Sequence, residues 1–338
     1  MEKKLSLSKK PFPPLQDSFG RTVTYVRLSV TDRCNLRCRY CMPAGRIQWL
    51  PKSQLLSWEE LFRLIAFFKR AGVSKFRFTG GEPFVRNGLL PFLVRVREEF
   101  PGLALHLTTN GVLAAGKIEE LAAARIDGIN VSLDSLQRRR FAEITGRDEL
   151  PRVLATIKSV IRSGIPLKIN TVVKDGWNTD EILPIARLAE RLPAEVRFIE
   201  EMPALGGSAK TAILWTAGRI LARLREAFPQ LQPLPPSGST AMRFQVPGWP
   251  GTLGVIAGHS RLFCATCNRL RITAAGVLKT CLYDSGVLNV RDLLRQRASD
   301  EHLYREVAAA VRNRKLNGFE SERERRRTGA ARMVEIGG

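Results

Sequence analysis

Residues 24–43 read TYVRLSVTDRCNLRCRYCMP. The stretch opens as a strand, Tyr25–Val30, rich in β-branched residues, and breaks at once into a polar loop over Asp32–Ala44. That loop carries Cys34, Cys38 and Cys41 in C-x3-C-x2-C spacing. Soft thiol ligands directly after a strand sit where an α/β protein gathers its ligands, at the strand's carboxyl end.

Outward from this stretch the same alternation repeats. Further strands are predicted at Lys75–Phe78, Leu103–Leu107, Gly128–Ser132, Pro166–Val173 and Glu195–Ile199. Helices lie between them. The clearest begins at Ser57, where Ser-x-x-Glu with Glu60 forms a capping box; Leu61, Leu64, Ile65 and Phe68 follow at helical spacing and Gly72 ends it. Others are predicted near Leu89–Phe100, Lys117–Arg125, Arg152–Ser163, Asp180–Arg191 and Thr216–Phe228. Six βα units in a row predict a parallel sheet, open or curved into a partial barrel, with helices outside. The pattern breaks at Pro229–Gly251, rich in Pro, Gly and Ser. The chain therefore divides into a flexible, extended or disordered lead-in at 1–20, an α/β body at 21–228 and a smaller region at 229–338 folded back onto it.

The chain has 338 residues, 44% of them hydrophobic, with 54 Lys+Arg against 32 Asp+Glu and a net charge of +22. No apolar run approaches the roughly 18–20 residues that span a bilayer. The start, MEKKLSLSKKPFPP, lacks the apolar core of a secretory signal. A cytoplasmic protein with no membrane partner is expected. A basic surface of this kind can attract nucleic acid, anionic lipid or a polyphosphate substrate. Part of it lies near the end, at Arg312, Arg314, Lys315, Arg323, Arg325, Arg326, Arg327 and Arg332, but Glu320, Glu322 and Glu324 interleave there as on a solvated helix face.

All six cysteines fall into two triads, the second being Cys264, Cys267 and Cys281. In a reducing compartment disulfides are disfavoured. Closed zinc sites take four ligands; His259 is near enough to complete the second triad, so zinc stays open there. The first triad has no such partner. Three thiolates hold three irons of a [4Fe–4S] cube and leave the fourth open.

The run CNLRCRYCMP, with Tyr40 just before the third cysteine, resembles the radical S-adenosylmethionine (SAM) enzymes. TGGEPFVR after the second strand, TTNG after the third, SLDS after the fourth and FIEEMP after the sixth narrow the resemblance, as do CNRLRIT, KTCLYD and the terminal Gly337-Gly338. Together these motifs, over about residues 20–338, resemble the GTP 3′,8-cyclase family of molybdenum-cofactor biosynthesis. The resemblance implies a partial (β/α)6 TIM-type barrel with a C-terminal extension carrying a second iron–sulfur cluster. It implies two [4Fe–4S] clusters, on Cys34, Cys38 and Cys41 and on Cys264, Cys267 and Cys281. The first cluster would bind SAM, with Tyr40, Gly81, Glu82, Ser132 and Met202 as SAM contacts. The second would hold the guanine of GTP.

The family's GTP contacts map onto Arg27, Arg77, Thr108, Lys168, Arg269, Leu270 and Arg271, the arginines 269 and 271 counting with the first triad as catalytic. Independently of the family, Arg27, Arg77 and Lys168 lie inside predicted strands. Charge in a parallel sheet covered on both faces is costly unless it meets a ligand or a lumen. The implied reaction is the lyase-type conversion of GTP to 3′,8-cyclo-7,8-dihydro-GTP, through abstraction of the C3′ hydrogen and attack on guanine C8. An external electron donor, a homodimer and a downstream cyclic pyranopterin monophosphate synthase are implied as partners; nucleic acid is not. Two other readings stand beside it: a radical SAM enzyme acting on a peptide or RNA, and a zinc-containing nucleic-acid binder. The Gly-Gly end is expected to reach the active site.

Overall fold

In the computed structural model, which describes residues 10–42, 48–202, 214–236 and 238–325, all six expected strands form. They are β1 (Tyr25–Ser29), β2 (Lys75–Thr79), β3 (Ala104–Thr109), β4 (Gly128–Ser132), β5 (Leu167–Val173) and β6 (Ala194–Glu200). Each pairs in parallel with the next. The Gly-Gly end lies outside the described residues.

The helices return the chain across one face. The Ser57 box forms as expected: Ser57 Oγ accepts from Glu60 N at 3.1 Å and Glu60 Oε2 from Ser57 N at 2.7 Å, and the helix runs Trp58–Arg70. Helix Leu150–Ser163 starts two residues before its expected position, with Pro151 in the first turn, where its missing N–H costs nothing. Helix Arg138–Thr145 had no counterpart in the sequence reading. Its only large apolar residues, Phe141 and Ile144, are too few to show a period. No described helix is long and apolar enough to cross a membrane.

The C-terminal region extends the same sheet on both edges. It adds β7 (Gln232–Pro233), β8 (Ala241–Gln245), β9 (Thr252–Ile256), β10 (Arg269–Ile272), β11 (Val277–Lys279) and β12 (Leu288–Asn289). The order is β12-β11-β10-β1-β2-β3-β4-β5-β6-β9-β8-β7. Strand β10 joins β1 in parallel and β9 joins β6 in parallel, so the parallel part has eight strands where six were expected. The antiparallel strands lie outside them.

The sheet is open in its pairing but strongly curved. Arg269 on β10 acts electrostatically on Arg197 on β6, six strands away. In a flat sheet those strands would lie about 29 Å apart. Loops bridge the gap: Tyr283, after β11, donates its hydroxyl to the Gly258 carbonyl, after β9, at 2.5 Å. Burial alternates along β3 and β5, so successive side chains face the helices and the lumen in turn.

The lead-in departs from expectation over residues 10–20. Phe12 stacks on Tyr304 at 4.7 Å and Leu15 is buried, its carbonyl accepting from Val23 N at 2.8 Å. The Pro-rich stretch has no helix or strand pattern, yet two apolar anchors three residues apart pin it to the body.

Candidate active site

The loop after β1 is zipped to the loop after β2 through backbone. Gly81 N donates to Thr31 O and Glu82 N to Arg33 O, both at 2.8 Å. A Cβ on Gly80 would lie 2.5 Å from Thr31 O, and one on Gly81 2.2 Å from Arg33 O. Only glycine allows this approach, which explains the Gly-Gly pair.

Glu82 departs from its expected role. Its side chain is fully buried and does not line the cavity. It accepts from Thr109 Oγ1 (2.8 Å), Asn110 N (2.7 Å) and Phe84 N (3.2 Å). Burial pushes its carboxyl up to about 7, against the pull of these three donors. Glu82 thus braces the loop after β3, whose Asn110 Nδ2 donates to Cys34 Sγ at 3.5 Å.

Cys34, Cys38 and Cys41 line one cavity of about 560 Å³, with Tyr40, Gly81, Ser132 and Met202. Tyr40 donates to Asp134 Oδ2 at 2.7 Å. Burial raises the Asp134 carboxyl to about 6, with bonds from Val172 N and Tyr40 opposing. Burial also raises the Cys34 and Cys38 thiols.

The second triad opens on the same cavity. Cys264 opens a short 3-10 turn, Cys264–Thr266, that Cys267 closes before β10, and Cys281 follows β11. None of the six cysteines forms a disulfide. Burial raises the Cys281 thiol. Burial would raise Cys267 too, but Arg314 and Arg269 outweigh it and lower that thiol. Arg314 Nη2 donates to Cys267 Sγ at 2.9 Å. His259, the candidate fourth ligand, does not line the cavity. Among the described residues no three of Cys, His, Asp and Glu gather as ligands of one metal ion. Two sets of three thiols, with hydrogen-bond donors aimed at their sulfurs, suit iron–sulfur clusters with an open iron.

Between the triads the wall is cationic. Lys279, Arg271, Arg27 and Arg77 stand in one cross-strand register on β11, β10, β1 and β2. The next register holds Arg269, Tyr25 and Lys75. Like charges placed side by side across strands destabilise a sheet unless something compensates. The described lining holds eleven Lys and Arg side chains against one carboxylate, Asp134. Burial, and Arg271 after it, push Arg27 well below its usual range. Burial lowers Lys168 to about 8, and Arg197 adds to this, although Lys168 pairs with Glu195 at 3.1 Å. His106, on the next strand from Arg77, is driven to about 2 by burial and by Arg77, so it stays neutral.

Of the expected substrate contacts, Arg27, Arg77, Thr108, Lys168, Arg269 and Arg271 all line the cavity. Leu270 does not: it is fully buried on the opposite face of β10, because side chains alternate along a strand. The sequence reading passed over Tyr25, Lys75, Arg197, Asn130 and Asn170, which also line it. Tyr25, Lys75, Asn130 and Asn170 each sit two residues from a residue that was found, so strand alternation carried their signal; Arg197 is in register with Asn170, one pairing further on, and had none. Tyr25 Oη accepts from Arg77 Nε at 2.8 Å. Its burial is outweighed by Arg77, Arg27 and Arg269, which lower the phenol to about 7. The buried Oδ1 atoms of Asn130 and Asn170 have no hydrogen-bond partner among the described residues, as expected of acceptors awaiting a ligand.

Two family profiles match the chain: the Radical SAM superfamily over residues 28–189 and Molybdenum Cofactor Synthesis C over residues 194–319. The chain is 42% identical over 303 residues to Molybdenum cofactor biosynthesis protein 1 of Bos taurus, covering 89% of this chain and 48% of that protein. It thus spans about half the length of the animal relatives it matches. It is 41% identical to GTP 3',8-cyclase 2 of Pseudomonas aeruginosa, over 88% of this chain and 91% of the relative. It is 38% identical to GTP 3',8-cyclase of Pelotomaculum thermopropionicum, over 96% and 100%. Among solved structures, Streptococcus suis SuiB bound to S-adenosylmethionine matches with a TM-score of 0.59 at 15% identity, over 84% of this chain and 68% of that one, a likeness of fold.

Proposed function

The chain belongs to the GTP 3′,8-cyclase family of radical SAM enzymes, and on that footing we propose that it converts GTP to 3′,8-cyclo-7,8-dihydro-GTP. One observation carries the reading: both cysteine triads open on one cavity whose wall is cationic. Cys34, Cys38 and Cys41 would hold one [4Fe–4S] cluster, and Cys264, Cys267 and Cys281 a second. When bound, the first cluster and SAM would supply the radical that abstracts hydrogen from C3′, and the C3′–C8 closure would be completed by one electron from the external donor and a proton.

The chain's own residues bind, orient and shield. The Gly81 backbone and the Ser132, Met202 and Tyr40 side chains share the cavity with the first triad and would contact SAM there. The register of Arg271, Arg27 and Arg77, with Arg269, Lys75, Lys168 and Arg197 around it, suits a triphosphate. Arg77 is held in place by Tyr25 Oη at 2.8 Å and Leu107 O at 2.6 Å, so its guanidinium is oriented before substrate arrives. The cations line an internal cavity, a placement that favours a small polyanion over nucleic acid. An external electron donor, a homodimer, delivery to a cyclic pyranopterin monophosphate synthase and a cytoplasmic location belong to the same reading.

The test is anaerobic reconstitution with iron and sulfide, followed by SAM, GTP and a strong reductant, with nucleotides and nucleosides read by mass spectrometry. The expected products are 5′-deoxyadenosine and a cyclised GTP isomer. Deoxyadenosine with unchanged GTP would retain the radical chemistry and remove the substrate.

The Lys168 ammonium gives a pH signature. Its protonated form binds phosphate, and its free pKa lies at about 8. GTP affinity therefore loses the Lys168 contribution as pH rises above about 8, while below it that contribution is constant. Lys168→Arg stays charged and should abolish this step. Calorimetry of GTP binding to the oxidised holoenzyme across this range is the check; a fall unchanged in the variant removes Lys168 from the site.

A further inference from the structure

The strap before β1 and the segment after helix Asp300–Arg312 meet on the second triad. Asp17, its side chain wholly buried, accepts from Arg21 Nε at 2.6 Å and faces Arg314 Nη1 at 3.8 Å. Arg21 donates to the carbonyls of Cys264 (2.9 Å), Leu316 (2.7 Å) and Lys315 (2.7 Å). Arg314, 4% exposed, donates to the Cys267 carbonyl at 2.7 Å and to Cys267 Sγ at 2.9 Å. One carboxylate and two guanidinium groups, from two stretches of chain nearly three hundred residues apart, thus gather beside the second triad, and one of them, Arg314, reaches the Cys267 sulfur.

Charge accounting shows what the network expects there. Two buried cations against one buried carboxylate leave one positive charge uncompensated. A neutral thiol is a weak acceptor and cannot supply the balance. A thiolate does both, accepting a charge-assisted bond and neutralising the excess. The first triad is built differently: Cys34 Sγ takes its bonds from uncharged donors, Leu36 N at 3.4 Å and Asn110 Nδ2 at 3.5 Å.

Taking Cys264, Cys267 and Cys281 as ligands of the second cluster, as the proposed function does, we infer that Arg314, held by the Cys267 carbonyl and facing Asp17, is a positioning residue that raises that cluster's reduction potential through its bond to the Cys267 sulfur. A cation and a hydrogen bond at a ligand sulfur stabilise the more negative, reduced cluster. The N-terminal strap thereby belongs to the site, although it contributes no ligand.

The test is potentiometric titration, followed by electron paramagnetic resonance, of anaerobically reconstituted holoenzyme holding about eight irons per chain. The signal of the second cluster is assigned as the one that Cys38→Ala retains. Arg314→Gln is expected to move its midpoint negative by at least a tenfold change in the reduced-to-oxidised ratio, which is about 59 mV for one electron. The first cluster's midpoint stays put. Arg314→Lys, keeping the charge, restores part of the shift. Asp17→Asn moves the midpoint the opposite way, because it removes a negative charge and leaves Arg314 on the Cys267 carbonyl. A merely structural role would change melting temperature and leave both potentials alone. Unchanged potentials in Arg314→Gln overturn the inference. If that variant fails to hold the second cluster, unchanged potentials in both Arg314→Lys and Asp17→Asn overturn it instead. A wild-type protein holding only about four irons removes the second-cluster reading and this inference with it.

Discussion

Cys38→Ala abolishes deoxyadenosine formation and lowers the iron content from about eight to about four per chain. Three thiolates are the minimum that holds a cube while leaving one iron for SAM, so two of them do not suffice. The fold tolerates the change for a local reason. The loop is held by backbone: Cys41 N and Met42 N donate to the Cys38 carbonyl at 3.0 and 2.8 Å, and Arg37 N and Arg39 N donate to the carbonyls of Thr145 and Ile144 at 2.8 and 3.0 Å. None of these bonds uses the thiol. The second triad lies on other elements and keeps its iron. Iron analysis and mass spectrometry on matched preparations check the result. Turnover within tenfold of wild type, or an unchanged iron count, would remove Cys38 from the ligand set.

Arg27→Met is expected to act in opposite directions on stability and binding. Arg27 stands in register between Arg271 and Arg77, and burial and then Arg271 hold its pKa well below the usual range. The protonated side chain is therefore a strain on the ligand-free fold. A methionine, shorter and uncharged, removes the like-charge crowding with Arg271 and Arg77, so the free protein melts at a higher temperature. It also removes a charge-assisted contact to the triphosphate, worth about 1.5–3 kcal/mol, or roughly ten- to 150-fold in GTP affinity. The added stability that GTP confers on wild type shrinks accordingly. Calorimetric titration and thermal unfolding with and without GTP give both signs. A lower melting temperature with unchanged affinity would make Arg27 a structural prop.

Both predictions rest on features visible in the linear chain, because both depend on short-range order. A cysteine triad after a strand, a Ser-x-x-Glu box before an apolar stripe and charged residues inside strands are each readable within a few residues. The placement of Arg27, Arg77 and Lys168 in the lumen followed from the cost of burying charge in a covered sheet. Strand alternation, applied one step further, would have added Tyr25, Lys75, Asn130 and Asn170, and would have removed Leu270.

Other features depended on pairings that no local pattern encodes. Nothing near Glu82 announces that its carboxylate turns from the cavity to brace Thr109 and Asn110. Strands β9 and β10 are short and carry no signal of their partners; that they join opposite edges of the parallel sheet is a matter of which edge each finds. Arg314 and Asp17 are separated by nearly the whole chain, and their meeting at Cys267 exists only once the strap and the last long helix have packed. The sequence alone determined the βα alternation, the two ligand triads and the demand for an anion, since these rest on periodicity, spacing and charge. Only the tertiary structure decided the curvature that brings Arg197 within reach of Arg269, and the cationic partner of one cysteine. Electrostatic fields and hydrogen bonds depend on distance in space, and chain separation says nothing about that until the sheet has closed.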